Sequence, residues 1–151
     1  VTTEITTISD GLVARVAALL TSHTRLSNPY DLANNNDLVL TQGYGVALGS
    51  AAPTRRSMSC QVSVKRTFRI SLTRRAPAIE GDAATRFSTE RTLLEDLQTL
   101  IDDFEKNNAL LTTGDYLVMY DRDTGIFPVR AGSNSYLAVT MDVTVEYQRN
   151  L

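Results

Sequence analysis

The stretch Ser57-Met58-Ser59-Cys60-Gln61-Val62-Ser63-Val64-Lys65-Arg66-Thr67-Phe68-Arg69-Ile70-Ser71-Leu72-Thr73 decides the fold. Every odd position is polar and, Arg66 apart, every even position is apolar. Met58, Cys60, Val62, Val64, Phe68, Ile70 and Leu72 therefore share one face of a β-strand. At ~3.3 Å per residue such a strand extends roughly 55 Å. A compact chain of this length has a diameter of about 40 Å. The strand must bend, as a hairpin or bulge, or project beyond its own domain. No Gly, Pro, Asn or Asp interrupts the run, which favours projection over a tight turn.

Working outward toward the N-terminus, Asp37 to Leu48 reads as extended, with Gly43 and Gly45 marking a bulge or a close backbone approach. Before it, Ser22 to Asn36 is polar, and Pro29 and Asn34-Asn35-Asn36 predict a loop whose Asn side chains satisfy turn backbone. Ser9 or Asp10 is positioned to cap a helix running through Thr21, with Leu12, Val13, Val16, Leu19 and Leu20 at spacings of 3 and 4. Toward the C-terminus, Arg74-Arg75-Ala76-Pro77 ends the alternation. A second helix is expected from Ser88 or Thr89 to Asn107, with an apolar stripe of Leu93, Leu94, Leu97, Leu100, Ile101 and Phe104. Asp115 to Tyr120 and Gly125 to Arg130 read as a hairpin around Arg122-Asp123-Thr124-Gly125, and Pro128 assigns the second strand to an edge. Ser135 to Gln148 alternates again, with Leu137, Val139, Met141, Val143, Val145 and Tyr147 inward and Thr140, Asp142, Thr144 and Glu146 outward. The order describes one α+β domain spanning residues 1–151. It has a mainly antiparallel sheet, two amphipathic helices packed on it and one very long strand or hairpin projecting from it.

With 42% apolar and 21% charged residues the chain has the composition of a folded protein and not of a disordered one. No apolar run approaches the ~20 residues that span a bilayer, so no membrane partner is expected. Val1 to Asp10 lacks the basic start and apolar core of a signal peptide. Cys60 and His23 are the only residues of their kinds, which removes internal disulfides and most zinc and copper chemistry and suggests a reducing compartment.

Motifs for catalysis are missing. There is no P-loop and no Gly-x-Ser-x-Gly elbow, and Gly43, Gly45 and Gly49 do not reproduce a dinucleotide fingerprint. His23 reads as a surface or helix-end histidine, and Cys60, on the apolar strand face, as a small hydrophobe. Asp121, Asp123 and Gly125 resemble the opening of a calcium loop, but the twelfth position is Gly132 where a carboxylate is needed. Glu95, Asp96, Asp102, Asp103 and Glu105 make an acidic helix face, for which a solvated surface is the simplest account. No catalytic residue, metal ligand or cofactor is assigned, and an enzyme is not expected.

Charge placement says more than the net charge of −2. Arg55, Arg56, Lys65, Arg66, Arg69, Arg74 and Arg75 are seven basic residues in a segment without an acid, leaving eight against seventeen acids elsewhere. A basic strand meeting an acidic neighbour would explain both halves through self-association. Arg66, the one charge on the apolar face, would then take a carboxylate, or would snorkel to water. A nucleic-acid-binding module using strand 55–75 is the alternative, disfavoured by the scarcity of outward aromatics.

The helix, the long strand with Cys60-Gln61-Val62-Ser63-Val64-Lys65-Arg66-Thr67-Phe68, the helix core Leu93-Leu94-Glu95-Asp96-Leu97 and the closing strand Tyr136-Leu137-Ala138-Val139-Thr140-Met141-Asp142-Val143-Thr144-Val145-Glu146-Tyr147 together resemble tail terminator proteins of long-tailed bacteriophages. The resemblance covers most of the chain and rests on the order and size of elements. It implies a homohexameric ring that caps the head-proximal end of the tail tube, stops tube polymerisation and docks the head. Partners would be further copies of itself, the tail tube protein and a head-completion or connector protein, with DNA passing through the lumen without sequence-specific binding. Assembly would occur in the host bacterial cytoplasm and the product would reside in the virion tail or neck. Other neck or tube components share the same outline. On this reading Arg55, Arg56, Arg66, Arg69, Arg74 and Arg75 are candidates for subunit or tube contacts. Asp142 and Glu146 are candidates for lumen-facing acids. Ala76 to Arg86 and Gly49 to Arg56 are candidate loops that order on assembly.

Overall fold

In a computed structural model, residues 4–56, 61–76, 83–106 and 117–150 are described. The chain runs α1 (Glu4–Leu19), β1 (Thr24–Arg25), α2 (Asp37–Leu40), β2 (Gln42–Arg56), β3 (Gln61–Arg75), α3 (Ala83–Lys106), β4 (Leu117–Asp123), β5 (Phe127–Ala131) and β6 (Asn134–Asn150). The strands form one six-stranded sheet in the order β1-β2-β3-β6-β4, with β5 also on β6, and every pairing except β1 with β2 is antiparallel. The architecture is α+β.

The period-2 stretch forms β3, which is paired along its length with β6, from Gln61↔Asn150 to Arg75↔Tyr136. Val64, Phe68, Ile70 and Leu72 are buried, as the alternation requires, opposite Tyr147, Val143, Met141 and Val139. Met58 and Cys60 lie outside the described residues. β2 runs to Arg56 and pairs antiparallel with β3, and the described part of the run, Gln61 to Thr73, is one strand with no register shift against β6. Gly49 to Arg56, expected as a loop, continues β2.

Both helices pack on the apolar face. Ile8, Leu12, Val16 and Leu20 from the α1 segment and Leu93, Leu97, Leu100, Ile101 and Phe104 from α3 join the buried strand residues in one cluster. Each helix begins earlier than expected, and Ala83 to Arg86 belong to α3 where a loop was anticipated. Ser9 Oγ donates to the Ile5 carbonyl and Thr89 Oγ1 to the Thr85 carbonyl, each one turn back, so these hydroxyls bond within a helix and do not cap it. Leu94, placed in the stripe by its spacing, is 44% exposed.

The opposite face is covered only at one end. Residues 26–40 cross it and bring Leu26 and Leu40 onto Tyr136 of β6 in a second cluster. Asn35 braces this segment: its side chain accepts from the Asn28 amide at 2.8 Å and donates toward the carbonyls of Asn28, Asp31 and Leu32. Asp37 to Leu40, read as the start of a strand, is instead a helical turn capped by Asn36, whose side chain accepts from the Leu38 amide at 3.1 Å. A Cβ on Gly43 would sit 2.4 Å from the Val39 carbonyl oxygen, so Gly43 marks the close approach its position suggested.

The expected hairpin between β4 and β5 does not form. Both strands pair with β6, end to end along one edge, and the hairpin is β5–β6, turned at Gly132 with φ +62. Asp123-Thr124-Gly125 imitates a hairpin turn because Asp123 Oδ1 accepts from the Gly125 amide at 2.8 Å. The Thr124 amide, however, donates to the Thr140 carbonyl of β6, keeping the chain on that edge. Pro128 lies in this edge strand, as its missing N–H demands.

Candidate functional site

Period 2 divides the basic residues of β3 between the two faces. Arg66 and Arg74 share the helix-side face with Phe68 and Leu72, whereas Lys65, Arg69 and Arg75 point to the open face. Seven cations clustered in sequence are therefore not one patch in space. Arg55 and Arg56 stand at the end of β2 opposite Ser63 and Val62, and their side chains lie outside the described residues.

Arg66 has a partner inside the subunit. A register shift in β2 between Leu48 and Ala51 turns the Gly49 carbonyl toward it, and Nη1 donates there at 3.0 Å. The partner is a carbonyl, where charge alone had suggested a carboxylate. Arg74 is engaged too: its Nη2 lies 2.8 Å from Asp96 Oδ2 on α3. His23 is not the surface residue that its place near a helix end implied. Its side chain is 3% exposed, with Nε2 3.3 Å from the same Asp96 oxygen. Burial acts to raise the Asp96 carboxyl, but the contacts with His23 and Arg74 outweigh it and hold it below its ordinary value. This cluster ties the α1–β1 connection, β3 and α3 together.

On the open face the residues read as an interface cation and a lumen acid pair with each other. Asp142 Oδ1 lies 3.3 Å from Arg69 Nε and its Oδ2 3.2 Å from Arg122 Nε. One carboxylate thus serves two guanidinium groups, and local charge is positive. Glu146 accepts from Ser63 Oγ at 3.1 Å and faces Lys65 across the ladder. Arg75 Nη2 reaches Asn134 Oδ1 at 3.4 Å.

Around the Arg69–Asp142–Arg122 group opens a cleft of about 790 Å³, floored by β2, β3 and β6 and walled by residues 29–33 on one side and β5 on the other. Tyr30 fixes the first wall, its hydroxyl accepting from the Leu48 amide at 3.0 Å. The cleft and the second guanidinium on its Asp142, Arg122 of β4, were missed in the sequence. Nothing in the spacing joins Tyr30 to Leu48 or Arg122 to Asp142; the pairings arise only once the strands are in register.

The calcium-loop resemblance is accounted for by other contacts. Asp121 accepts from the Thr144 hydroxyl and Asp123 from Tyr120 Oη at 2.9 Å, while burial together with Asp123 and Glu105 raises the Tyr120 phenol above its ordinary value. Among the described residues no group of three His, Cys, Asp or Glu side chains could hold a metal ion, and no helix is long and apolar enough to cross a membrane. A scan against protein-family models finds no match, and a search of curated proteins finds no relative.

Proposed function

We propose that this protein is a structural virion component, a tail terminator whose copies close into a ring on the head-proximal end of a phage tail tube. There it stops tube polymerisation and offers the docking surface for the head. Its partners are other copies of itself, the tube protein and a head-completion protein, and DNA passes through the ring without base-specific contacts. One observation carries the reading. β2 and β3 are each 15 residues and β6 is 17, lengths of roughly 50 Å or more. The helices nevertheless cover one face, leaving much of the other as polar β-surface. Such a face suits a subunit that is completed by neighbours. The alternative, a nucleic-acid module built on residues 55–75, loses support from the division of its cations between opposite faces and from the engagement of Arg66 and Arg74 inside the subunit.

The test is absolute mass by light scattering behind a sizing column, at low and high salt, followed by addition to polymerising tube protein. The expected outcome is a six-membered ring, weakened by salt or by Arg69→Glu, that limits tube length. A monomer at every salt concentration that leaves tube growth unchanged overturns the proposal. Arg66→Glu does not serve the same purpose, because it would set a carboxylate against the Gly49 carbonyl and would report on folding.

A further inference from the structure

Residues 26–40 lie across one end of the open face, over a floor made largely of small side chains. Gly43 and Gly45 of β2, Ser71 and Thr73 of β3 and Ala138 and Thr140 of β6 stand there in register. The close fit depends on them: a Cβ on Gly45 would lie 2.9 Å from Pro29 Cβ. The polar groups of this floor fare unequally. Ser71 Oγ and Thr140 Oγ1 bond each other at 3.0 Å. Thr73 Oγ1 and Tyr136 Oη, on residues that are 0% exposed, are buried without a hydrogen-bond partner among the described residues. Each has given up water for no bond in return, which opposes the covered arrangement.

The covering segment is held together from within. Besides the bonds of Asn35, Asn28 Oδ1 accepts from the amides of Tyr30 and Asp31, each at 3.1 Å, and the Asn34 amide donates to the Asp31 carbonyl at 3.1 Å. A different set of contacts ties it to the sheet. The Leu26 amide donates to the Tyr44 carbonyl at 2.7 Å, Tyr30 Oη accepts from the Leu48 amide, and Asn134 Nδ2 donates to Asp37 Oδ1 at 3.2 Å. Leu26 and Leu40 add apolar contact with Tyr136. Departure from the sheet breaks the second set and leaves the first intact.

We propose that residues 26–40 are a strap that lifts off the sheet as one unit while the rest of the fold stays intact, and that the two unpartnered hydroxyls beneath it favour the lifted state. Water bonds both hydroxyls once the strap is up, so lifting restores the hydration that closure withholds. Residues 29–33 of the strap form one wall of the cleft. Lifting therefore removes that wall and joins the cleft to the floor that the strap hides. The device works within a single copy of the chain and does not depend on the ring.

The test is amide hydrogen exchange of the full chain in rising, sub-denaturing urea. It is read at Leu26, whose amide crosses from strap to sheet, and at Ile70 in the middle of β3. Lifting exposes little surface and global unfolding exposes much, so exchange at Leu26 should depend weakly on urea and exchange at Ile70 steeply. Tyr136→Phe deletes one unpartnered hydroxyl and keeps the ring, and should slow exchange at Leu26 by about fivefold or more. Thr73→Val gives the same reading if the first variant does not fold. Gly45→Ala, which drives a methyl against Pro29, should speed exchange at Leu26. Exchange at Leu26 that follows the urea dependence of Ile70 overturns the proposal, because the strap then leaves only when the whole fold does. So does a Tyr136→Phe variant whose exchange at Leu26 is unchanged or faster, since the hydroxyl is then already satisfied with the strap down.

Discussion

Asp96 sits where three segments meet, and its role depends on being charged. The folded state holds its carboxyl below the ordinary value of 3.8, so the stability it contributes is complete above that value and is lost as pH falls through the folded value. Asp96→Asn should cost about 1.5–3 kcal/mol at neutral pH by weakening a charged hydrogen bond to half-buried Arg74. The gap in urea midpoint between variant and wild type should narrow on acidification. A gap that stays constant, or widens, would place the stabilisation elsewhere. Residues of this kind were hard to assign from their neighbours in sequence. Asp96 read as one acid on a solvated face and His23 as a surface residue, because neither has its partner within reach along the chain. Arg66 was recognisable as an anomaly, a charge on an apolar face, but its resolution required the displaced carbonyl of Gly49 on another strand.

At the scale of elements, periodicity was legible wherever one face is buried. The alternation of β3 and β6 and the stripes of α1 and α3 emerge with the residues they named, apart from the exposed Leu94 and from Met58, Cys60 and Val62, whose side chains lie outside the described residues. Boundaries and connections were less so, since a Ser or Thr that can cap a helix can equally bond one turn back inside it. The edge formed by β4 and β5 shows the same ambiguity. Asp123-Thr124-Gly125 and Ala131-Gly132-Ser133 are both turn-like, and only the second reverses the chain. Both glycines have positive φ, 70 at Gly125 and 62 at Gly132. Gly132→Ala should therefore lower stability by roughly 1–2 kcal/mol through backbone strain alone, since nothing lies within 4 Å of an added Cβ. Thermal melts of that variant test the assignment, and an unchanged midpoint would contradict it.

For the whole molecule, β3 is the keystone, hydrogen-bonded on one side to β2 and on the other to β6 across nearly its full length. Among the described residues β4 and β5 have only β6, and β2 has β1 beside it at Gly43 and Tyr44 alone. Amide exchange should follow this order, slowest in the centre of β3 and in β6 from Val139 to Val145, faster in β4 and β5. Strongest protection in β4 would mean that the stable unit is organised differently. At this scale the two-sided charge of the sequence also takes on a new form. The basic residues of β3 divide between the two faces of the sheet, Arg66 and Arg74 on the helix side and Lys65, Arg69 and Arg75 on the open side, so no boundary separates one basic strand from the rest.

What the sequence determined by itself is the set of faces: which residues of each strand and helix turn inward, and hence an α+β sheet with helices against it. Those patterns are local, repeating every two or three to four residues, and burial enforces them whatever the neighbours are. The tertiary structure alone decided which strands lie side by side, with β2 and β6 flanking β3, and that residues 26–40 fold over the open face. It therefore also decided that Tyr30, Arg69, Arg122 and Asp142 border one cleft. Their spacing along the chain is arbitrary, and only the register of the ladder, shifted at Leu48 to Ala51 in β2 and at Tyr120 to Arg122 in β4, brings them together.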